Sequence, residues 1–363
     1  MYTKPRDQIT AGQATIVMVN YIVGAGILTL PRTTVEAAGT PDVWISVILG
    51  GIASMLTGII MVKLCQRFPG ESFFQFSRKI IGKPLGVCLN TLIVVYFLSI
   101  ASYEVRTVQE VTGFFLLEGT PAWAIGASFM WIALYLCRGG INAVSRLCRL
   151  IVPITWTIFF GVCLISLEVF DLNNLRPVLG EGIGPVLKGI KPAENAFTFG
   201  EAMLFLTAFM EKPKKAVMVI VGGTAIATVF YVLAVTLTIG AFSVDGVITR
   251  TWPFLDLIRS FEVNYLIFER FESLLMAIWI MQIFCLFCIS FYGAALGLSQ
   301  TMNRKFHNVL FALLPLIYIF SQLPPNINGL FALGAGNANW GIILFLILPL
   351  PLLIIARLRR VGS

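Results

Sequence analysis

Apolar positions run through this chain in long blocks, neither alternating as in strands nor striped as on a soluble helix. A membrane-crossing helix needs about 17–25 predominantly apolar residues. Blocks of this kind fall at 10–31, 43–66, 85–117, 121–137, 141–169, 186–210, 215–241, 268–299, 306–322 and 339–356, predicting ten spans.

Two of the blocks are interrupted. The first contains Val23-Gly24-Ala25-Gly26-Ile27. Glycine costs a helix about 1 kcal/mol relative to alanine, and in lipid the freed backbone groups are tolerated only where they line a cavity or are buried in protein. A glycine-broken first span is the usual construction of a solute site in a transporter fold. The same two glycines would also let a neighbouring helix approach closely. The sixth block reads Phe197-Thr198-Phe199-Gly200-Glu201-Ala202, a glycine beside a carboxylate five spans later. Interrupted segments at matching places in two halves point to an inverted repeat with its site at the breaks. Glu201 is the acid placed near the bilayer centre. It is read as the partner of a ligand ammonium, as a proton-coupling group, or as an acceptor for backbone exposed at the break.

Shorter patterns complete the layout. Ser72 and Gln75 have capping-box spacing before Phe73, Phe76, Ile80 and Ile81, which predicts a short amphipathic helix on the inner membrane surface. The third span carries Glu104, Arg106 and Glu110 toward its outer end; Arg106 and Glu110 are four apart and can pair, and the three read as functional groups of the span or as an outer-vestibule ion network. Deeper in that span, Ser99 and Tyr103 share a face directed at a central cavity. Residues 171–182 hold too many turn formers for a helix, and the stretch from Ser243 to Val263 predicts a short outer helix. Gly293 and Gly297 form a small-xxx-small packing pair. Residues 323–341, uncharged and rich in Pro, Asn and Gly, are long for a loop, and the sequence assigns them no element.

Composition agrees with the pattern. The chain is 58% hydrophobic and 12% charged, with mean hydropathy +0.88, against roughly 25% charged residues in soluble domains. Eighteen of the 26 Lys and Arg residues sit in the N-terminal tail, the loops after spans two, four, six and eight, and the C-terminal tail. The positive-inside rule therefore places both termini in the cytoplasm, and the net charge of +8 is a matter of topology, not of a nucleic-acid partner. The first 12 residues are polar and no cleavable signal is expected. The seven cysteines lie mostly in or beside apolar stretches and form no secreted disulfide framework; Cys285 and Cys288 read as small packing residues. With His307 the one histidine and no nucleophile–base constellation, no enzyme, metal or cofactor chemistry is expected.

Ten spans, inward termini and breaks in spans one and six resemble the amino acid–polyamine–organocation superfamily, with its LeuT-type 5+5 inverted repeat. Three motifs bring the resemblance closer: Gly24-Ala25-Gly26-Ile27-Leu28-Thr29-Leu30-Pro31-Arg32, Asn173-Asn174-Leu175-Arg176-Pro177-Val178-Leu179-Gly180-Glu181-Gly182, and Phe268-Glu269-Arg270-Phe271-Glu272-Ser273. They are similar to the permease-like B subunits of bacterial spore germinant receptors. The resemblance implies an all-α polytopic protein of the cell or spore inner membrane, one transmembrane domain made of five-helix repeats at 10–169 and 186–356. It also implies a nutrient sensor that works with an A subunit and a lipoprotein C subunit and binds a small molecule, commonly an amino acid. The pocket it implies lies among spans one, three, six, eight and ten: Gly24, Ala25 and Gly26 with flanking Val23 and Ile27, then Thr198, Phe199, Gly200 and Glu201. Ser99, Tyr103, Phe284 and Cys285 are added by helix position. The chain departs from ion-coupled permeases in lacking a lysine in the middle of span five and paired Ser/Thr in span eight, which argues against sodium-driven uptake. A proton-coupled amino acid permease with Glu201 as its titrating group is the alternative.

Overall fold

A computed structural model describes residues 8–24, 26–197, 200–260 and 271–362. Its helices are α1 (Ala11–Val23), α2 (Gly26–Ala38), α3 (Val43–Gln66), α4 (Phe73–Ile81), α5 (Lys83–Phe115), α6 (Ala122–Arg138), α7 (Ile141–Ile165), α8 (Gly184–Ala196), α9 (Met203–Phe209), α10 (Ala216–Ile248), α11 (Pro253–Arg259), α12 (Phe271–Met302), α13 (Phe306–Ser321), α14 (Ile327–Gly341) and α15 (Pro349–Leu358). Among the described residues, six stretches are long and apolar enough to cross a membrane unaided, and α1 with α2, bent by 51°, makes a seventh. The shorter α6 and α13, and α8 taken with α9, complete the ten.

Local chemistry accounts for several boundaries. Thr10 and Gln13 form a reciprocal capping box at the start of α1, with Gln13 N donating to Thr10 Oγ1 at 3.3 Å and Thr10 N to Gln13 Oε1 at 2.9 Å. At α4 the Ser72 amide donates to Gln75 Oε1 at 3.1 Å. This helix turns Phe73, Phe74, Phe76 and Ile80 into the protein, with Ile81 partly buried. Near its outer end α10 is broken at Ser243, whose φ of 62° is rare for a side chain with a Cβ.

Span ten starts earlier than the expected 339: it begins at Ile327 and continues through α14, a π-helical turn at Ile342–Ile347, and α15. Asn326 caps it, accepting from Gly329 N at 2.9 Å. Four glycines and three asparagines make 327–341 a poor helix by propensity, but close packing repays the deficit. A Cβ on Gly334 would lie 3.1 Å from the Tyr103 ring of α5.

Packing follows a two-halves rule. The outer piece of span one, α2, lies on the outer piece of span six, α8; span two packs on span seven, and span three on span eight. The inner piece of span one, α1, touches span seven, and its counterpart α8 touches span two; span four touches span eight as span nine touches span three. Elements five spans apart thus hold equivalent places, and even the short helices correspond, α4 after span two and α11 after span seven.

On the cationic side the ends are tied together. Gln66 Nε2 donates to Pro213 O at 2.9 Å, Arg78 Nη2 to Gln300 O at 3.0 Å and Arg359 Nη1 to Ile80 O at 2.9 Å. Ile9, fully buried, pairs by backbone with the end of α9, its amide donating to Phe209 O at 2.9 Å and its carbonyl accepting from Glu211 N at 3.0 Å. Across the molecule, the turn at Leu172–Leu175 is held by Asp171 N and Asn174 Nδ2, both donating to Gly240 O, and Leu179 N donates to the buried carboxylate of Asp42 at 2.9 Å.

Candidate functional site

The last carbonyls of α1 and of α8 have no partner within their own helices. Side chains from other spans supply donors. Gln282 Nε2 of α12 donates to Asn20 O at 3.1 Å. The hydroxyl of Tyr231, a fully buried residue of α10, lies 2.5 Å from Ile22 O and 2.9 Å from Ala196 O, so its single proton is shared between the two breaks. Gly26 belongs to the same junction. A Cβ there would come 2.7 Å from Tyr231 Oη and 3.1 Å from Ala196 O, so only glycine permits this approach. In the second break Gly200 has φ +67°, a left-handed conformation natural to glycine.

A cavity of about 590 Å³ extends from this junction toward the outer side, within the range of small-molecule sites. Gly26, Thr29 and Leu30 of α2, Ala196 and Asn195 of α8, Tyr96, Ile100, Tyr103 and Glu104 of α5, and Leu286 of α12 form its walls. Phe331, Gly334 and Asn337 of α14 close it laterally, and exposed Thr33, Glu36 and Lys191 stand at its mouth. Arg32 and Glu36 neutralise one another there at 2.7 Å.

Of the residues singled out from sequence, Gly26 and Tyr103 line this cavity. Val23 and Ile27 are buried on either side of the first break, and Gly24 is packed so that a Cβ would meet Leu286. Ser99 faces a second, more apolar hollow of about 400 Å³ beside Phe320 and Leu323, and donates through Oγ to Asn337 Oδ1 at 2.5 Å. Phe284 packs edge-on against Phe129, and Cys285 is fully buried; neither lines the cavity. Ala25, Thr198 and Phe199, like Phe268, Glu269 and Arg270 of the third motif, lie outside the described residues.

Glu201 is wholly buried behind the cavity wall. Its Oε1 accepts from Tyr21 at 2.8 Å and from Tyr96 at 3.0 Å, while Oε2 has no partner among the described residues. Glu104 was grouped with Arg106 and Glu110, and the last two do pair, at 2.8 Å. Residues two apart on a helix point about 200° away from each other, and Glu104 turns into the cavity, 2% exposed, with Oε2 unpartnered. Glu104, Asn195 and Asn337 are the cavity groups that sequence reading missed. The signal for Glu104 was its angular position; for Asn337 there was none while its segment had no assigned element.

A family model described as spore germination protein matches residues 8–330. The chain is 49% identical to the spore germination protein YndE of Bacillus subtilis (strain 168), over 99% of both chains. Among solved structures it superimposes on Mhp1, a nucleobase-cation-symport-1 family transporter in a closed conformation with bromovinylhydantoin bound, with TM-score 0.69, 10% identity, and coverage of 94% of this chain and 78% of that one. MhsT in complex with L-phenylalanine gives TM-score 0.66 and 14% identity over 96% and 98% of the two chains. Both likenesses concern the LeuT-type fold, with its five-plus-five repeat and broken spans one and six.

Proposed function

We propose that this chain, which belongs to the spore germination protein family, is the nutrient-sensing subunit of a germinant receptor and binds a small solute, an amino acid by preference, in the cavity between its broken spans. The family is permease-like and receptor-like rather than enzymatic, and the chain is a multi-pass protein of the inner membrane. The observation that carries the sensing reading is the 590 Å³ hollow whose floor is the shared junction of the two breaks. α2 begins at Gly26 on that floor, and the first amides of a helix are unpaired and electropositive. A ligand carboxylate seated there would be held as anions are at helix N-termini. Binding that favours one arrangement of the half-helices moves the equilibrium by its difference in affinity, and partner subunits of the A and lipoprotein C types would read the change.

The test is germination of spores in which this chain is replaced by Gly26→Leu, scored with single nutrients while membrane abundance is followed by immunoblot. Loss of response at normal abundance is expected; unchanged sensitivity would place the pocket elsewhere. Glu201, a buried carboxyl with one oxygen unpartnered, keeps a proton-coupled permease in view as a second reading. In liposomes, pH-driven accumulation of an amino acid that disappears in Glu201→Gln would favour transport, and binding without accumulation would favour sensing.

A further inference from the structure

Resting on the reading of the cavity as a solute site, we propose that Glu104, not Glu201, selects the ligand, and that it selects for a protonated nitrogen set beside a hydrogen-bond acceptor. Glu104 lies in the membrane-embedded part of α5, yet it forms no ion pair among the described residues. Intramembrane carboxylates are otherwise paired or set in water-filled hollows, because an isolated charge is costly there. Glu104 is 2% exposed, its Oε2 has no partner, and it forms part of the cavity wall. Glu201, by contrast, is engaged by two tyrosine hydroxyls and is not among the lining residues.

Two amides give the anchor a direction. Asn337, 7% exposed, accepts from Ser99 through Oδ1 at 2.5 Å, which leaves its Nδ2 as an unused donor in the wall. Asn195 has its Oδ1 unused in the same wall. The unfilled groups are therefore a carboxylate, one further acceptor and one donor. A ligand that satisfies them offers a cationic N–H-bearing group to Glu104 and Asn195, and an oxygen acceptor to Asn337 Nδ2. Ser99 is a positioning residue in this scheme, fixing which end of the Asn337 amide faces the ligand.

The experiment uses the full chain purified into lipid nanodiscs. Its probes are the common L-amino acids, their decarboxylated amines, their deaminated 2-hydroxy acids, and uncharged glucose and inosine, each scored by thermal shift. Probes bearing a protonated amine are expected to stabilise the wild type, with 2-hydroxy acids and neutral probes inert. Glu104→Gln should weaken those probes about 10- to 100-fold, the range for losing one charge-assisted hydrogen bond. The unliganded melting temperature should stay level or rise, because the substitution replaces an unpartnered buried carboxyl with an amide at constant shape; a structural role would lower it instead. Glu201→Gln should leave the affinities within threefold. A wild type that answers only to 2-hydroxy acids or neutral probes overturns the assignment, as does a Glu104→Gln variant with unchanged affinity for an amine. The cavity reading survives either result if Gly26→Leu abolishes binding of the probe that does act, and falls if Gly26→Leu leaves that binding intact.

Discussion

Placing a methyl group on Gly26 tests the junction of the two breaks most directly. The new Cβ would sit 2.7 Å from Tyr231 Oη, with Ala196 O next at 3.1 Å. Tyr231 is fully buried and cannot swing clear, so Gly26→Ala would push its hydroxyl off the carbonyls of Ile22 and Ala196. Overpacking costs about 1–3 kcal/mol, and leaving a buried acceptor without its donor costs about 1–3 kcal/mol. Tyr231→Phe would incur the second cost alone and would clear the space that the methyl needs. In the Tyr231→Phe background, Gly26→Ala should therefore cost little, and the double variant should fall short of the sum by roughly 1–2 kcal/mol, the coupling expected of groups in contact. The assay is thermal unfolding of the detergent-purified protein at one fixed scan rate, since unfolding of such a protein is governed by a rate. Additive shifts for the two substitutions would refute the packing argument, and a stabilised Gly26→Ala would refute it outright.

Two more outcomes follow from the same geometry. Glu201→Ala leaves the Tyr21 and Tyr96 hydroxyls without an acceptor and should cost about 2–6 kcal/mol, whereas Glu201→Gln keeps the Oε1 acceptor and should melt near the wild type; equal losses would mean that the charge itself is required. For topology, a cysteine at exposed Lys191 should react with a membrane-impermeant maleimide added from outside, while one at Arg304 should react only after lysis, and the reverse pattern would invert the assigned orientation.

Much of this architecture was legible before any coordinates. The placement of 18 cations among alternate loops gave the topology, because the energetics of charge translocation act on every loop alike. The breaks were legible as Gly24–Gly26 and Gly200–Glu201, since helix defects at mid-membrane have few tolerated causes. The first half of span ten was not, because Gly329, Gly334, Gly336 and Asn337 lower local propensity while packing against Gly334 is contributed by Tyr103, more than 200 residues away in the chain. A start signal was present in Pro324-Pro325-Asn326, a helix stop followed by a good cap. Glu104 was missed for a different reason: charges clustered in sequence invited reading as one network, although helical rotation sends them to opposite faces. Tyr21, Tyr96 and Tyr231 carried no signal at all, because a tyrosine inside an apolar span gives no hint of which distant carbonyl or carboxylate its hydroxyl will find.

The strap formed by Ile9 against Phe209 and Glu211 ties the start of span one to the end of span six on the cationic side. Two net backbone hydrogen bonds and one buried isoleucine side chain amount to roughly 3–5 kcal/mol. A bolt of that strength would stand drawn in about one molecule in two hundred to one in five thousand. An occupant that prefers the drawn state by a similar margin would bring the two states to parity. The hold of Ile9 on the end of α9 is thus a small, adjustable quantity that an occupant of the hollow could outweigh.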